Sequence, residues 1–118
     1  MSNLKKHNIQ ESYFLDTLLD ILYSQKLQDI TIYKGTNSLA YKNIIISTAN
    51  SNTQMNGVVK KLADILKDKS NLNVEGKDST WLLIEAKEVL IHIFTNDSRK
   101  FYELEDIYFD CELIYQYG

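Results

Sequence analysis

The sequence predicts a single α/β domain in which helices flank a mixed sheet of five strands. Three segments repeat apolar residues at helical spacing, and five shorter segments have the alternation or the continuous apolar run of strands. Their order, αββαβββα, combines hairpins with crossover connections and therefore favours a mixed sheet. A chain of 118 residues has the size of one ordinary domain, so a second domain is not expected.

The three helices are predicted from the spacing of apolar side chains. Residues 11–24 place five apolar side chains on one stripe. Residues 50–52, Asn-Ser-Asn, offer N-caps for a second helix that extends to Lys69. Residues 98–109 predict a short third helix, because its aromatic and leucine side chains step by three and four positions.

The five strands are predicted from alternation and from short apolar runs between turn residues. They are residues 29–34, 43–49, 72–75, 81–86 and 89–94. The second run does not alternate, so this strand is predicted to be buried on both faces. The connection at Ala86-Lys87-Glu88 lacks the Gly or Asn of a two-residue hairpin, which leaves its turn type open. Outside the domain at residues 11–110, residues 1–10 are predicted as a flexible N-terminus and residues 111–118 as a C-terminal tail.

Composition and charge disfavour several classes of protein. The sequence contains 44% hydrophobic and 25% charged residues, and it has no apolar run near the roughly 20 residues that span a bilayer. The single cysteine, Cys111, cannot form an intramolecular disulfide and has no Cys or His at metal-ligand spacing, so a cytoplasmic location is expected. A net charge of −3 argues against a general nucleic-acid binder, which needs a basic face.

Acidic and aromatic residues are concentrated at the C-terminal end. Residues 103–118 hold five acids and no Lys or Arg, which leaves residues 1–102 at 13 minus 11, or +2. Residues 101–117 also hold six of the 13 aromatic side chains. This end is either a solvated acidic helix with inward aromatics or an apolar and acidic surface that binds a basic protein. The second interpretation is favoured for Tyr102, Glu105 and Asp106.

Six short motifs follow one another along residues 12–110. In chain order they are Lys26-Leu27-Gln28-Asp29-Ile30, Ser47-Thr48-Ala49-Asn50-Ser51, Val74-Glu75-Gly76, Trp81, His92-Ile93-Phe94 and Arg99-Lys100-Phe101-Tyr102-Glu103-Leu104-Glu105. Their order and spacing resemble those of the ribosomal silencing factors, the RsfS or Iojap-like family. The chain departs from the family pattern at Ala40-Tyr41-Lys42-Asn43, where an acid and an aromatic are usual, and at Glu85-Ala86-Lys87-Glu88, which lacks the usual glycine.

The resemblance implies a protein without a cofactor that binds the fourteenth protein of the large ribosomal subunit. It would block joining of the small subunit and lower translation under nutrient limitation. The resemblance also implies a fold similar to the nucleotidyltransferase arrangement, and family members are often homodimers. We predict that six side chains in the C-terminal half contact the partner: Trp81, Phe101, Tyr102, Glu105, Asp106 and Tyr108.

Two alternative functions are a nucleotide-handling enzyme of the related fold and a dimeric interaction module with another partner. The enzyme would need a Gly-Ser pair and an Asp-x-Asp motif, and the sequence has neither. On a helix, Glu103 and Glu105 would point about 200° apart and could not share a metal ion. His92 is predicted as a half-buried strand residue with one hydrogen bond, and Cys111 as a packing residue, because neither has an evident catalytic partner.

Overall fold

The structure is a computed structural model that describes residues 9–37 and 39–118. The predicted flexible N-terminus lies almost entirely outside the described residues. The helices are α1 (Ile9–Ser24), α2 (Asn52–Ile65) and α3 (Asn96–Tyr102). The strands are β1 (Gln28–Lys34), β2 (Asn43–Thr48), β3 (Leu72–Glu75), β4 (Trp81–Ala86), β5 (Val89–Phe94) and β6 (Glu112–Tyr117). Two 3-10 turns, Lys69–Asn71 and Leu104–Tyr108, precede β3 and follow α3.

The strands form one mixed sheet in the order β3-β4-β5-β2-β1-β6. Only β2 and β5 are parallel, and the other four neighbouring pairs are antiparallel. The single mixed α/β domain is thereby confirmed, but the predicted count of five strands is wrong. The sixth strand, β6, lies in the stretch that was predicted to be a C-terminal tail, and it pairs with the outer edge of β1.

Both faces of the sheet carry a hydrophobic core, which explains why β2 does not alternate. All six residues of β2 are buried, as predicted from its continuous apolar run. On one face, α1 and α2 cover the larger cluster, which includes Leu18, Leu62 and Ile45. On the other face, Leu104 and Tyr108 of the second 3-10 turn cover a smaller cluster around Phe94. The C-terminal segment is therefore part of the packed domain.

The prediction of one continuous helix over residues 98–109 is wrong. Thr95 caps the N-terminus of α3 with its side chain, and α3 ends where Glu103 adopts a left-handed conformation with φ of 48°. The chain then continues as the 3-10 turn Leu104–Tyr108. This break changes the periodicity from 3.6 to about 3 residues per turn. The side chains after Glu103 therefore do not lie on the same face as they would in one continuous α-helix.

The turn between β3 and β4 depends on Gly76, which has φ of +82°. A Cβ atom at this position would overlap the carbonyl oxygen of Trp81. We therefore expect Gly76→Ala to lower the free energy of unfolding by about 2 kcal/mol, measured by urea denaturation. Gly57→Ala is the control, because Gly57 lies in α2 and the atoms nearest to its Cβ would belong to the flexible side chain of Gln25. An equal loss in both variants would contradict this explanation.

Candidate docking surface

Apolar side chains are exposed around α3 and the 3-10 turn that follows it. Phe101 is 79% exposed and Phe109 is 85% exposed, and Tyr102 and Ile107 between them are exposed as well. We call these four residues the aromatic patch. Phe101 and Tyr102 contact each other, and Ile107 and Phe109 follow a few positions later in the chain. Several exposed apolar side chains in one segment are characteristic of a surface that binds a partner. Phe101 and Tyr102 were predicted as contact residues, whereas Ile107 and Phe109 were not.

The patch is connected to the sheet through Trp81. The indole ring lies 4.9 Å from the ring of Tyr102 and 4.9 Å from the ring of Phe94, measured between centroids. Phe101 in turn packs edge-on against Tyr102 at 5.0 Å. Along β4, Trp81, Leu83 and Glu85 are half-buried while the alternate residues are buried, so the prediction that Trp81 lies on the less buried face is confirmed. Aromatic contacts therefore run from the sheet to the exposed patch.

His92 lies beneath the patch and is only 4% exposed. The indole Nε1–H of Trp81 donates to His92 Nδ1 at 3.1 Å, and His92 Nε2 lies 3.2 Å from the hydroxyl of Tyr108. Because the indole can only donate, Nδ1 must be unprotonated, and a neutral imidazole then carries its proton on Nε2. Burial lowers the pKa of His92 to about 4, which favours this neutral form. The prediction of a half-buried histidine with one hydrogen bond is thus corrected.

Tyr108 was predicted to contact a partner, but it is only 8% exposed. Its ring stacks on Tyr33 at 5.9 Å, and its hydroxyl faces His92. Burial raises the pKa of this hydroxyl, so the phenol stays protonated near neutral pH. The 3-10 turn directs this side chain into the core, and Tyr108 therefore anchors the segment that carries Ile107 and Phe109.

Arg99 joins three segments that are far apart in the sequence. Its Nε donates to Glu105 Oε2 at 2.7 Å, and its Nη1 donates to Thr48 Oγ1 at 3.0 Å and to the backbone carbonyl of Asp29. The Arg99 side chain is 12% exposed. Glu105, a predicted contact residue, is therefore held in a partly buried ion pair. Asp106, another predicted contact residue, is exposed.

An open groove of about 510 Å³ lies beside Arg99, between the start of β1, the end of β6 and the segment from α3 to the 3-10 turn. Its charged lining residues are Asp29, Arg99, Lys100, Glu103, Glu105 and Asp106. The acids outnumber the bases by four to two. The groove thus extends the acidic character of this end of the molecule toward the free edge of β6.

The described residues contain no group of three or more His, Cys, Asp or Glu that could hold a metal ion. Cys111 is a free, partly buried thiol, and burial raises its pKa above the ordinary value, which disfavours the nucleophilic thiolate. None of the helices in the described part of the chain is long and apolar enough to cross a membrane.

The fold places the chain in a class of small α/β domains with a mixed sheet. A structure of a protein from Chromobacterium violaceum has the same fold, with a TM-score of 0.70 and 26% sequence identity over 85% of both chains. Residues 7–117 match the family described as "Ribosomal silencing factor during starvation", RsfS. The chain therefore belongs to the RsfS family, which confirms the resemblance seen in its motifs.

Two relatives illustrate the range of this similarity. "Ribosomal silencing factor RsfS" of Zymomonas mobilis is 29% identical over 104 residues, which cover 81% of this chain and 78% of that protein. "Protein Iojap, chloroplastic" of Zea mays is 36% identical over 66 residues, which cover 54% of this chain. The matched region spans only 29% of the maize protein's length, so its remaining parts have no counterpart in this match.

Proposed function

We propose that this chain binds the large ribosomal subunit through the basic fourteenth protein and sterically blocks joining of the small subunit. Bound there, it lowers translation in the cytoplasm when nutrients are limited. It acts by occupying a surface, without making or breaking a bond. The observation that carries this proposal, beside membership of the RsfS family, is the exposed aromatic patch at the acidic C-terminal end of the domain.

The aromatic patch supplies the apolar part of a docking surface. Phe101, Ile107 and Phe109 are exposed, and Tyr102 packs between Phe101 and the half-buried indole of Trp81. Large aromatic side chains contribute much of the binding energy at protein interfaces. A partner that covered the patch would bury these rings and exclude water from them, which favours association.

The acids near the patch supply the charge that a basic partner would match. Asp106 and Glu103 are exposed next to the aromatic patch. Complementary charge accelerates association and favours the correct partner. Because Glu105 is already paired with Arg99, replacing it by alanine would disturb the fold as well as the surface. Asp106 is therefore the better residue for testing the electrostatic contribution.

The proposal is tested by sedimenting purified protein with isolated large subunits and by following subunit joining with light scattering. We expect co-sedimentation with large subunits but not with small subunits, and a dose-dependent loss of joining. Protein that neither co-sediments nor changes the joining reaction would refute the proposal. A thermal shift on adding nucleotide and magnesium would instead support the alternative enzyme function.

Single substitutions in the aromatic patch test where docking occurs. We expect Phe101→Ser and Phe109→Ser each to weaken binding to large subunits about tenfold, because each removes an exposed ring from the interface. Their melting temperatures should stay close to that of the unmodified chain, since neither ring is buried.

Tyr13→Ser is the matched control for these two substitutions. Tyr13 is a large exposed aromatic residue on α1, which covers the opposite face of the sheet. We expect this variant to bind large subunits with unchanged affinity. If Tyr13→Ser weakened binding as much as Phe109→Ser does, docking could not be attributed to the aromatic patch.

We also propose that the free chain forms a homodimer, as the family resemblance implies. The strand β6 is an edge of the sheet, and its Leu113 and Tyr117 are exposed. An edge strand offers unpaired backbone groups to a second chain. The sedimentation coefficient of the free protein tests this part of the proposal, and a strictly monomeric protein at micromolar concentration would contradict it.

A further inference from the structure

We propose that His92 is the positioning residue of the docking surface: it fixes the indole of Trp81 and the hydroxyl of Tyr108 and so holds the aromatic patch against the sheet. This inference rests on the proposed function, because it concerns the surface through which the chain would bind. His92 itself is buried and would not touch the partner.

The imidazole ring of His92 joins three elements of the fold. Trp81 lies on β4, His92 on the neighbouring strand β5, and Tyr108 on the 3-10 turn. The two ring nitrogens of His92 contact the other two side chains at 3.1 and 3.2 Å. The turn that carries part of the patch is thus linked to the sheet by polar contacts as well as by packing.

These contacts define an orientation of the Trp81 indole that packing alone leaves free. Trp81 lies against Phe94 and Tyr102, and such ring contacts tolerate sliding and rotation. A hydrogen bond is directional, so the bond from Nε1 to His92 selects one rotation of the indole. Tyr102 packs on that indole, and the position of its exposed ring follows from the position of Trp81.

A histidine suits this place better than an apolar side chain would. Its neutral ring offers one acceptor and one donor on opposite sides, which satisfies the indole N–H and the phenol oxygen together. An apolar ring of similar volume would leave both of these polar groups without their partner in the interior. A histidine at position 92 therefore orients Trp81 and Tyr108 in addition to filling space in the core.

Trp81 is the single tryptophan of the chain, so its fluorescence reports this arrangement directly in the free protein. We compare His92→Phe, which removes both polar contacts, with His92→Asn, whose carboxamide oxygen can replace Nδ1 as the acceptor for the indole. We expect time-resolved fluorescence anisotropy to detect more local motion of Trp81 in His92→Phe than in the unmodified chain. In His92→Asn we expect this motion to return toward that of the unmodified chain.

Binding to isolated large subunits is measured on the same variants. We expect His92→Phe to bind at least tenfold more weakly and His92→Asn to recover part of that loss. Unchanged indole motion in His92→Phe, or affinity within twofold of the unmodified chain, would overturn the positioning role. If His92→Phe does not fold, His92→Asn decides alone: a mobile indole with affinity within twofold of the unmodified chain would overturn the positioning role.

The two proposals fail in different ways. If the unmodified chain does not bind large subunits, the proposed function is wrong, and so is the role of His92 in docking. If the unmodified chain binds and the indole becomes mobile without loss of affinity, the proposed function stands and the positioning role is wrong. Phe109→Ser serves as the control, because it should weaken binding while leaving the motion of Trp81 unchanged.

Discussion

Lowering the pH from 6.5 to 4 is expected to reduce the free energy of unfolding by about 3 kcal/mol through His92 alone. In the unfolded chain the pKa of histidine is 6.5, whereas burial lowers the pKa of His92 in the folded protein to about 4. Between these values the unfolded state takes up a proton that the folded state does not. The stability is therefore complete above pH 6.5 and decreases as the pH falls, by at most about 1.4 kcal/mol per pH unit.

This prediction is measured by urea denaturation at a series of pH values, with His92→Asn as the control. The variant retains His7 and all carboxylates, so the difference between the two proteins isolates the proton bound by His92. We expect the variant to show the shallower dependence between pH 6.5 and 5, where carboxylates contribute little. Parallel curves for the two proteins would mean that His92 titrates normally in the folded state.

Replacing Arg99 by alanine is expected to lower the free energy of unfolding by about 3 kcal/mol. The substitution leaves the partly buried carboxylate of Glu105 without its cation and the carbonyl of Asp29 without its donor. Asp29 has φ of 50° and lies where the pairing of β1 with β2 is irregular, and the hydrogen bond from Arg99 is one of the contacts that hold its backbone there. We expect both the β1 edge and the 3-10 turn to loosen.

Two other substitutions bracket the effect of Arg99. Arg99→Lys keeps the charge but replaces the planar guanidinium, with its several N–H donors, by a single ammonium group. We therefore expect an intermediate loss in the free energy of unfolding. Lys100→Ala removes an exposed neighbouring cation and should change stability by less than about 0.5 kcal/mol. The three variants are compared by urea denaturation. An Arg99→Ala protein as stable as Lys100→Ala would contradict a structural role for the guanidinium.

The helices and strands of the central part were predictable because local patterns determine them. The continuous apolar run of β2 reflects burial of both faces of that strand. The alternation along β4 reflects burial of one face. The turn after β4 was not predictable. Lys87 adopts φ of 55° there, whereas the sequence feature that predicts such a turn is a glycine or asparagine. The break at Glu103 was missed for the same reason, because a non-glycine residue takes the left-handed position.

The C-terminal end shows why a sequence pattern indicates a region better than individual contacts. Its excess of acids and aromatics indicates the segment after Phe101 as a candidate surface. The direction of each side chain, however, depends on the 3-10 turn, which buries Tyr108 and exposes Ile107 and Phe109. The ion pair of Glu105 with Arg99 and the contacts of His92 join residues from different elements, and no local pattern encodes them.

The position of β6 has a consequence for the order in which the sheet forms. Within β1, Lys34 pairs with Asn43, nine positions away, whereas Ile30 pairs with Tyr117, 87 positions away. Closing the longer loop loses more chain entropy, so we expect the β1–β2 hairpin early in folding and β6 last. Until β6 arrives, one edge of β1 stays open to strands of other molecules, and aggregation during refolding should begin there.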